Sequence, residues 1–448
     1  MSAPEPMTAG EAATVTEAGA ETAATVTDAR AETAATVTGA RAETAATVGA
    51  GPGDGDRDVR VVVAGAGPVG LTAALVLARR GVPVTVLEAG AGPAAESRAS
   101  TFHPPTLEML AELGVVDALL ARGLRADSFQ FRDRRTGPVA TLDLSLLAGD
   151  TPYPFRLQCE QNKLTPLLLD ALGRLPGTDI RFGAAVAGVE RSARGVHAVL
   201  AGGGRVRGAW LVGADGAHSA VRRSVGAEFH GMTYPERFLV ASLDEDLGAV
   251  LPDLAPIAYV LDPEEWMVLL RTPDHWRVLL PTPDDTSDRG ELARLPGRLR
   301  ALTARRGGPA VAHAGLYRVH QRVAGTFRSG RVLLCGDAAH VNNPLGGMGM
   351  NSGIHDAVLM GGALADLLTG KGTDGELTAR AEERRACALD YVGAETHANW
   401  ERLRVRDPVQ RASLVAELRA TAADPVAARR SLLRSSMIES LRGAGWPR

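Results

Sequence analysis

The stretch from Val59 to Gly90, VRVVVAGAGPVGLTAALVLARRGVPVTVLEAG, leaves little freedom in how it folds. Val59 to Ala64 is an apolar run broken only by Arg60 and ending at a glycine, the pattern of a strand buried on both faces. Gly65, Gly67 and Gly70 follow in GxGxxG spacing, and LTAALVLARRG reads as a helix closed by Gly81. In such a unit the first glycine makes a tight turn, the second lets the backbone approach a pyrophosphate, and the third lets helix and strand pack closely. The pyrophosphate then sits on the helix N-terminus. A second strand, VPVTVLEAG, carries Glu88 at its end, 23 residues beyond Gly65, where a carboxylate accepts hydrogen bonds from ribose hydroxyls. Its charge would repel a 2′-phosphate, so the site disfavours NADP. Strand, turn, helix and acid together predict a dinucleotide site, and by themselves leave FAD and NAD both open.

The rest of the chain narrows the class. At 448 residues it is long enough for two ordinary domains. The net charge of -3 is small, and no arginine block forms a stripe suited to a nucleic-acid groove. Lys163 and Lys371 are the only lysines while arginine and alanine abound, a bias that reads as codon usage and carries no function. Cys159, Cys335 and Cys387 are odd in number and lack metal-ligand spacing, so neither a disulfide framework nor a zinc site is expected, and a reducing cytoplasm fits best. No apolar run reaches the length of a membrane span, and the N-terminus lacks a secretory signal. It holds instead an eleven-residue repeat, ETAATVTDARA from Glu21, ETAATVTGARA from Glu32 and a third copy from Glu43. Such a period sustains a supercoil only with an apolar stripe to bury. Alanine, threonine and an occasional valine offer too little surface against the cost of ordering the backbone, so residues 1–57 are expected to be a disordered tail.

Three further motifs lie downstream. LVGADGAHSAVRRSVG contains Asp215, Gly216, Ser219 and Arg222; GRVLLCGDAAHVNNPLGGMGMNSGIHDA contains Gly336, Asp337, His340, Pro344, Gly347, Gly349, Asn351 and Asp356; Arg98 and Gln161 stand in ESRASTFHPPTLEML and LQCEQNKLTPLLLDAL. In this order and spacing the chain, from about Val59 to the Asp407–Pro408 region, resembles the p-hydroxybenzoate hydroxylase-like FAD-dependent aromatic hydroxylases. The resemblance implies FAD bound by Gly65, Gly67, Gly70, Glu88, Arg98, Gln161, Asp215, Asp337, Pro344, Gly347, Gly349 and Asn351. It implies NADH or NADPH as a transient co-substrate, in keeping with the lack of a second GxGxxG unit. It further implies O2 as oxidant, with a C4a-hydroperoxyflavin hydroxylating a phenolic or polyketide-type aromatic ring, and a homodimer among the expected assemblies.

The residues support this directly. RVLLCGDAAH is an apolar strand ending at Asp337, where a carboxylate holds a second polyol such as the ribityl chain. The glycine-rich NNPLGGMGM then enters a helix whose positive N-terminal end would stabilise negative charge at N1 and C2=O of a reduced flavin. Met348 stands where many members have glutamine, Val358 where many have asparagine, and Thr165 where glutamate is frequent. The chain ends at Arg448, too soon for the thioredoxin-like domain of larger phenol hydroxylases.

The predicted fold is α/β: a Rossmann-like FAD-binding domain over 58–228 and 320–400, an inserted antiparallel-sheet substrate domain over 229–319 to which 131–150 contribute, and C-terminal helices over 401–448. FLVASLDED, IAYVLD, EEWMVLLRT and HWRVLLPTP read as short strands of that sheet. Tyr259, Trp266, His275, Trp276 and Tyr317 are candidate walls of an apolar pocket over the flavin. His275 and Tyr259 both qualify to help deprotonate a phenol, and the sequence assigns no catalytic residue and no metal. Three other readings are weighed against the hydroxylase. A flavin-dependent halogenase lacks its WxWxIP segment here, a non-catalytic FAD protein would sequester an aromatic ligand, and a plain NAD dehydrogenase would leave both downstream motifs without purpose.

Overall fold

The computed structural model describes residues 59–94, 99–192, 194–303 and 308–442, so the repeat tail and Arg98 lie outside the described residues. The opening motif folds as β1 (Val61–Ala64), α1 (Pro68–Arg79) and β2 (Val84–Leu87). Further along come α2 (Gln161–Gly173), β3 (Thr178–Arg181), β4 (Trp210–Gly213), β5 (Val332–Leu334), α3 (Gly349–Leu368), α4 (Pro408–Ala423) and α5 (Pro425–Ser435). One sheet runs in the order Arg328–Ser329, β5, β4, β1, β2, β3, parallel throughout except at the Arg328–Ser329 edge. Every residue of β1, β2, β4 and β5 is buried, as a sheet covered on both faces requires. Strands Val186–Ser192, Gly195–Leu200 and Arg205–Gly208 add a small antiparallel sheet that the sequence reading did not single out.

A second sheet has eight strands, in the order His340–Val341, Val311–Ala324, Phe229–Leu243, Trp276–Pro283, Met267–Arg271, Ile257–Leu261, Ser128–Asp133 and Gly137–Asp143. Its pairings are antiparallel except that Ile257–Leu261 and Ser128–Asp133 run parallel. That exception corrects the purely antiparallel expectation. Those two strands come from distant parts of the chain, so no hairpin fixes their relative direction. Side chains alternate across this sheet. Ile257, Tyr259 and Leu261 join a core shared with Leu432 and Leu433 of α5, while Ala258 and Val260 join the opposite core, covered by Leu295, Leu299 and Leu302 of helix Asp288–Thr303. Among the described residues no helix is long and apolar enough to cross a membrane.

A buried charge network fixes α3 against the turn after β5. Asp356 on α3 accepts from Arg384 Nε at 2.8 Å and from the Gly336 backbone N–H at 3.1 Å, and its Oδ2 lies 2.9 Å from His340 Nε2. Arg384 also donates to Ser352 Oγ at 3.1 Å. Burial by itself would raise the Asp356 carboxyl, but Arg384 and His340 outweigh it and hold the group below its ordinary range. The same surroundings act oppositely on neighbouring His355, which burial and then Arg384 push down to about 3.

Asp356→Ala leaves the Arg384 guanidinium buried without its carboxylate, and should cost about 3–5 kcal/mol in urea unfolding at neutral pH. Because the folded pKa of Asp356 is depressed, its contribution is complete above the unfolded value near 4 and lost as pH falls through the folded value. The gap between wild type and variant should therefore narrow in acid; a gap that is small at neutral pH, or that widens in acid, would contradict this reading.

Candidate functional site

The glycine turn is tight where the spacing says it should be. Gly65 has φ +102°, and a Cβ there would stand 2.3 Å from the Ala214 carbonyl oxygen. A Cβ on Gly70 would stand 2.0 Å from the Gly65 carbonyl oxygen, whereas one on Gly67 would meet nothing within 4 Å. Gly67 is also the N-cap of α1, and no side chain caps that helix, so its first N–H groups face outward over the open second glycine. Glu88 closes the end of this turn. Its Oε2 accepts from the Ala66 N–H at 2.7 Å and its Oε1 from the Gly90 N–H at 2.9 Å.

The segment around Asp215 acts as a brace. Asp215 accepts from Ser219 Oγ at 2.5 Å and from the Val221 N–H at 3.1 Å, capping the short helix Ala220–Ser224. Arg222 donates to the carbonyls of Ala338 at 3.0 Å and Ala217 at 2.8 Å, and its guanidinium lies over Phe229 at 3.8 Å. Arg222 thus ties this segment to the turn Gly336–Ala338, on which Asp337 presents an exposed side chain. Gln161 opens α2, and its N–H donates to the Ala99 carbonyl at 2.9 Å.

The loop Asn342–Met348 is held from several sides. Asn351, fully buried on the first turn of α3, accepts from the His103 N–H at 2.9 Å and donates to the carbonyls of Thr101 at 2.8 Å and Gly347 at 2.7 Å. Gly347 has φ +67°, and a Cβ there would press on Thr101 at 3.1 Å. His103 Nε2 lies 2.9 Å from the Gly346 carbonyl. Behind the loop, Asn343 donates to Tyr234 Oη and to the Thr396 carbonyl, each at 2.9 Å, and accepts from the Leu345 N–H at 3.0 Å. Met348 packs with Val392 and Met437. It is also the N-cap of α3 and caps with no side chain, so the helix start at Gly349 carries outward N–H groups.

Between this loop and the second sheet lies a cavity of about 30 Å³. Pro344, Leu345, Gly346, Gly347 and Thr101 line one side; Ile257, Tyr259, Val268, Leu270 and Leu279 line the other, with Arg156 at its edge. Of the five expected wall residues, only Tyr259 lines it. Trp276 has the opposite strand parity and packs in the core under helix Asp288–Thr303, with its Nε1 donating to Asp246 at 2.8 Å. Trp266 is buried edge-on against Phe238, His275 lies at the sheet margin 3.1 Å from Asp244, and Tyr317 is exposed. Sequence reasoning missed His103, Arg156 and Asn343. His103 precedes two prolines that start a helix, which was a local clue, whereas Arg156 and Asn343 gain their meaning only from distant partners.

The chain matches the model of the FAD binding domain family over residues 58–394. It is 34% identical over 361 residues to the para-nitrophenol 4-monooxygenase of Pseudomonas sp. (strain WBC-3), covering 78% of this chain and 89% of that protein. It is 36% identical over 346 residues to the 6-methylpretetramide 4-monooxygenase of Streptomyces rimosus, covering 72% of this chain and 59% of that one. Among solved structures it resembles the p-nitrophenol 4-monooxygenase of Pseudomonas putida DLL-E4 with a TM-score of 0.80 and 32% identity, over 85% of this chain and 97% of that one. The anhydrotetracycline hydroxylase of Streptomyces rimosus gives a TM-score of 0.71 at 28% identity, over 85% and 76%. The paired glycine turns, the carboxylates at two strand ends and these likenesses converge: the chain belongs to the FAD-binding-domain family of p-hydroxybenzoate hydroxylase-like enzymes and is an FAD-dependent aromatic monooxygenase.

Proposed function

We propose that FAD lies across the first sheet with its pyrophosphate over Gly65, Gly67 and Gly70, its adenosine ribose at Glu88 and its ribityl chain at Asp337. The uncapped start of α1 suits the pyrophosphate, because its N–H groups and dipole both favour an anion. Arg98 and Gln161 contact the cofactor, and Asp215 serves the site by holding its own loop. The isoalloxazine ring sits against Pro344, Gly347 and Gly349, with Asn351 holding the glycine loop to its shape. Buried polar atoms without partners, His103 Nδ1 and Gln158 Nε2, lie on residues bonded to Gly346 and to Thr101 beside that loop. Such atoms are costly unless a ligand satisfies them, and the pyrimidine edge of a flavin offers matching donors and acceptors.

When bound, FAD would supply the redox chemistry, passing two electrons from NADH or NADPH to O2 so that one oxygen atom enters the ring and the other leaves as water. The residues of this chain bind, orient and shield. The start of α3 favours negative charge near Gly349, and the apolar side chains of Ile257, Val268, Leu279 and Leu345 exclude water from the cavity. The observation that carries the reading is this placement, in which one cavity takes its walls from the glycine loop and from the second sheet. We assign a small phenol as substrate. The likeness to a para-nitrophenol enzyme over nearly that enzyme's whole length supports a single ring over a polycyclic polyketide. The domain plan is the discontinuous one, with 131–150 and 229–319 forming the substrate sheet.

Incubating the FAD-loaded protein with NADH or NADPH, isotopic oxygen gas and a set of single-ring phenols should give a product carrying one labelled oxygen. Label entering from water, or no oxygen uptake with any phenol, would overturn the assignment. The carboxylates provide a second check. Removing Asp337 or Glu88 as alanine deletes a charged hydrogen-bond acceptor worth about 1.5–3 kcal/mol, so each variant should bind FAD about tenfold to a hundredfold more weakly in equilibrium titration. Wild-type affinity in both variants would show the cofactor placed wrongly.

A further inference from the structure

Helix α5 closes through a position that glycine usually takes. The Ile438 N–H donates to the Leu433 carbonyl at 3.1 Å and the Met437 N–H to the Arg434 carbonyl at 3.1 Å, while Leu433 and Ile438 share one apolar core. This pair of bonds is a Schellman closure, which puts the residue after the cap into the left-handed region. Met437 stands there with φ +62°. Among the described residues the one other non-glycine residue with positive φ is Asp253, which is exposed and of a type that tolerates the conformation. A methionine in that conformation is strained, because its Cβ crowds the carbonyl oxygen that follows. Strain of this kind persists only where the surroundings hold it, and the Met437 side chain is fully buried.

The contacts of that side chain lead to the glycine loop. Met437 packs with Met348 and Val392, both as deeply buried. Met348 is the N-cap of α3, and its side chain flanks the loop: a Cβ on Gly346 would stand 3.6 Å from Met348 Cε and 3.7 Å from its Cγ. Gly346 has φ +112°, its carbonyl lies 2.9 Å from His103 Nε2, and it lines the cavity. A thioether chain fits irregular space but is soft, so Met348 holds the loop only as firmly as it is itself held from behind. We propose that Met437 is a positioning residue for oxygen transfer: fixed by its left-handed backbone, it backs Met348 and so keeps Gly346 and the start of α3 in place against the isoalloxazine ring. This rests on the reading of that loop as the flavin site. Met437 touches neither cofactor nor substrate in this role. When the loop gives way, the two electrons of NADH or NADPH still reach O2, but both oxygen atoms leave as hydrogen peroxide and the phenol is unchanged.

The test uses the FAD-loaded full chain and its variants Met437→Ala, Met437→Gly and Met437→Leu. Alanine removes the side chain and keeps the backbone strain, glycine removes both, and leucine keeps both with nearly the same volume. The glycine variant should therefore melt at a higher temperature than the alanine variant. Coupling should not follow that order. With the single-ring phenol that the wild type hydroxylates best, both truncations should give about threefold or more less product per oxygen consumed, the balance appearing as hydrogen peroxide. Both should also shift the visible circular dichroism of the bound flavin, whereas leucine should stay close to the wild type in both measurements. Should the alanine variant fail to fold, Val392→Ala, in the same cluster, is read in its place. A glycine variant with wild-type coupling and flavin dichroism beside an impaired alanine variant would assign the effect to stability alone and overturn the inference. Truncations that leave both readouts unchanged would overturn it as well. FAD content and wild-type turnover, measured first, separate the two levels. A wild type that holds no FAD overturns the flavin reading together with this inference; one that holds FAD but hydroxylates no phenol overturns the substrate reading, and the flavin dichroism then decides this inference.

Discussion

The carboxamide of Asn351 makes three hydrogen bonds in a fully buried position, and the site is organised around them. One side chain accepts from the His103 N–H and donates to the Thr101 and Gly347 carbonyls, joining residues almost 250 positions apart in sequence. The His103 and Thr101 groups are interior, where an unpaired donor or acceptor costs about 1–3 kcal/mol, and the Gly347 carbonyl is partly buried. No shorter or purely apolar side chain can serve all three. The same three bonds place Thr101 and Gly347 on the cavity wall and carry His103 to the Gly346 carbonyl. The glycines supply backbone that a ring can approach closely, and Asn351 supplies the rigidity that glycines lack.

Two buried arginines show how charge divides between framework and chemistry. Arg384 is satisfied by Asp356, and with His340 and Ser352 it forms a closed network that pins α3 to the turn bearing Asp337. Arg156 is left with a carbonyl, the Tyr259 phenol and an aromatic face at the cavity edge. The first arrangement holds α3 to the turn after β5. The second leaves positive potential where a ring is expected to bind.

Much of the cofactor half was legible in the sequence, because its signals are local. A run buried on both faces, glycines at fixed offsets and an acid at a strand end depend on near neighbours, and β1, α1, β2 and Glu88 stand where those signals point. The pocket was less legible. Whether a strand aromatic faces the cavity depends on parity and register, so Tyr259 lines it while Trp276 points to the opposite core. Ile257–Leu261 pairs in parallel with a strand more than a hundred residues earlier, which no turn signal encodes. Arg156 reads in sequence as one arginine among many. Its meaning comes from having, among the described residues, no carboxylate paired with it, which only the closed fold reveals. Asp215 was legible as a motif, while its bonds to Ser219 and Val221 show the local work it does.

If Asn351 is what gives the glycine loop its shape, loosening it should harm coupling more than binding of the distant dinucleotide end. The direct measurement is the ratio of hydroxylated product to oxygen consumed by FAD-loaded Asn351→Ala, with hydrogen peroxide counted alongside. The account predicts a product yield at least several-fold below that of the wild type, with the missing oxygen recovered as peroxide. An Asn351→Ala enzyme as tightly coupled as the wild type, with its flavin retained, would contradict it.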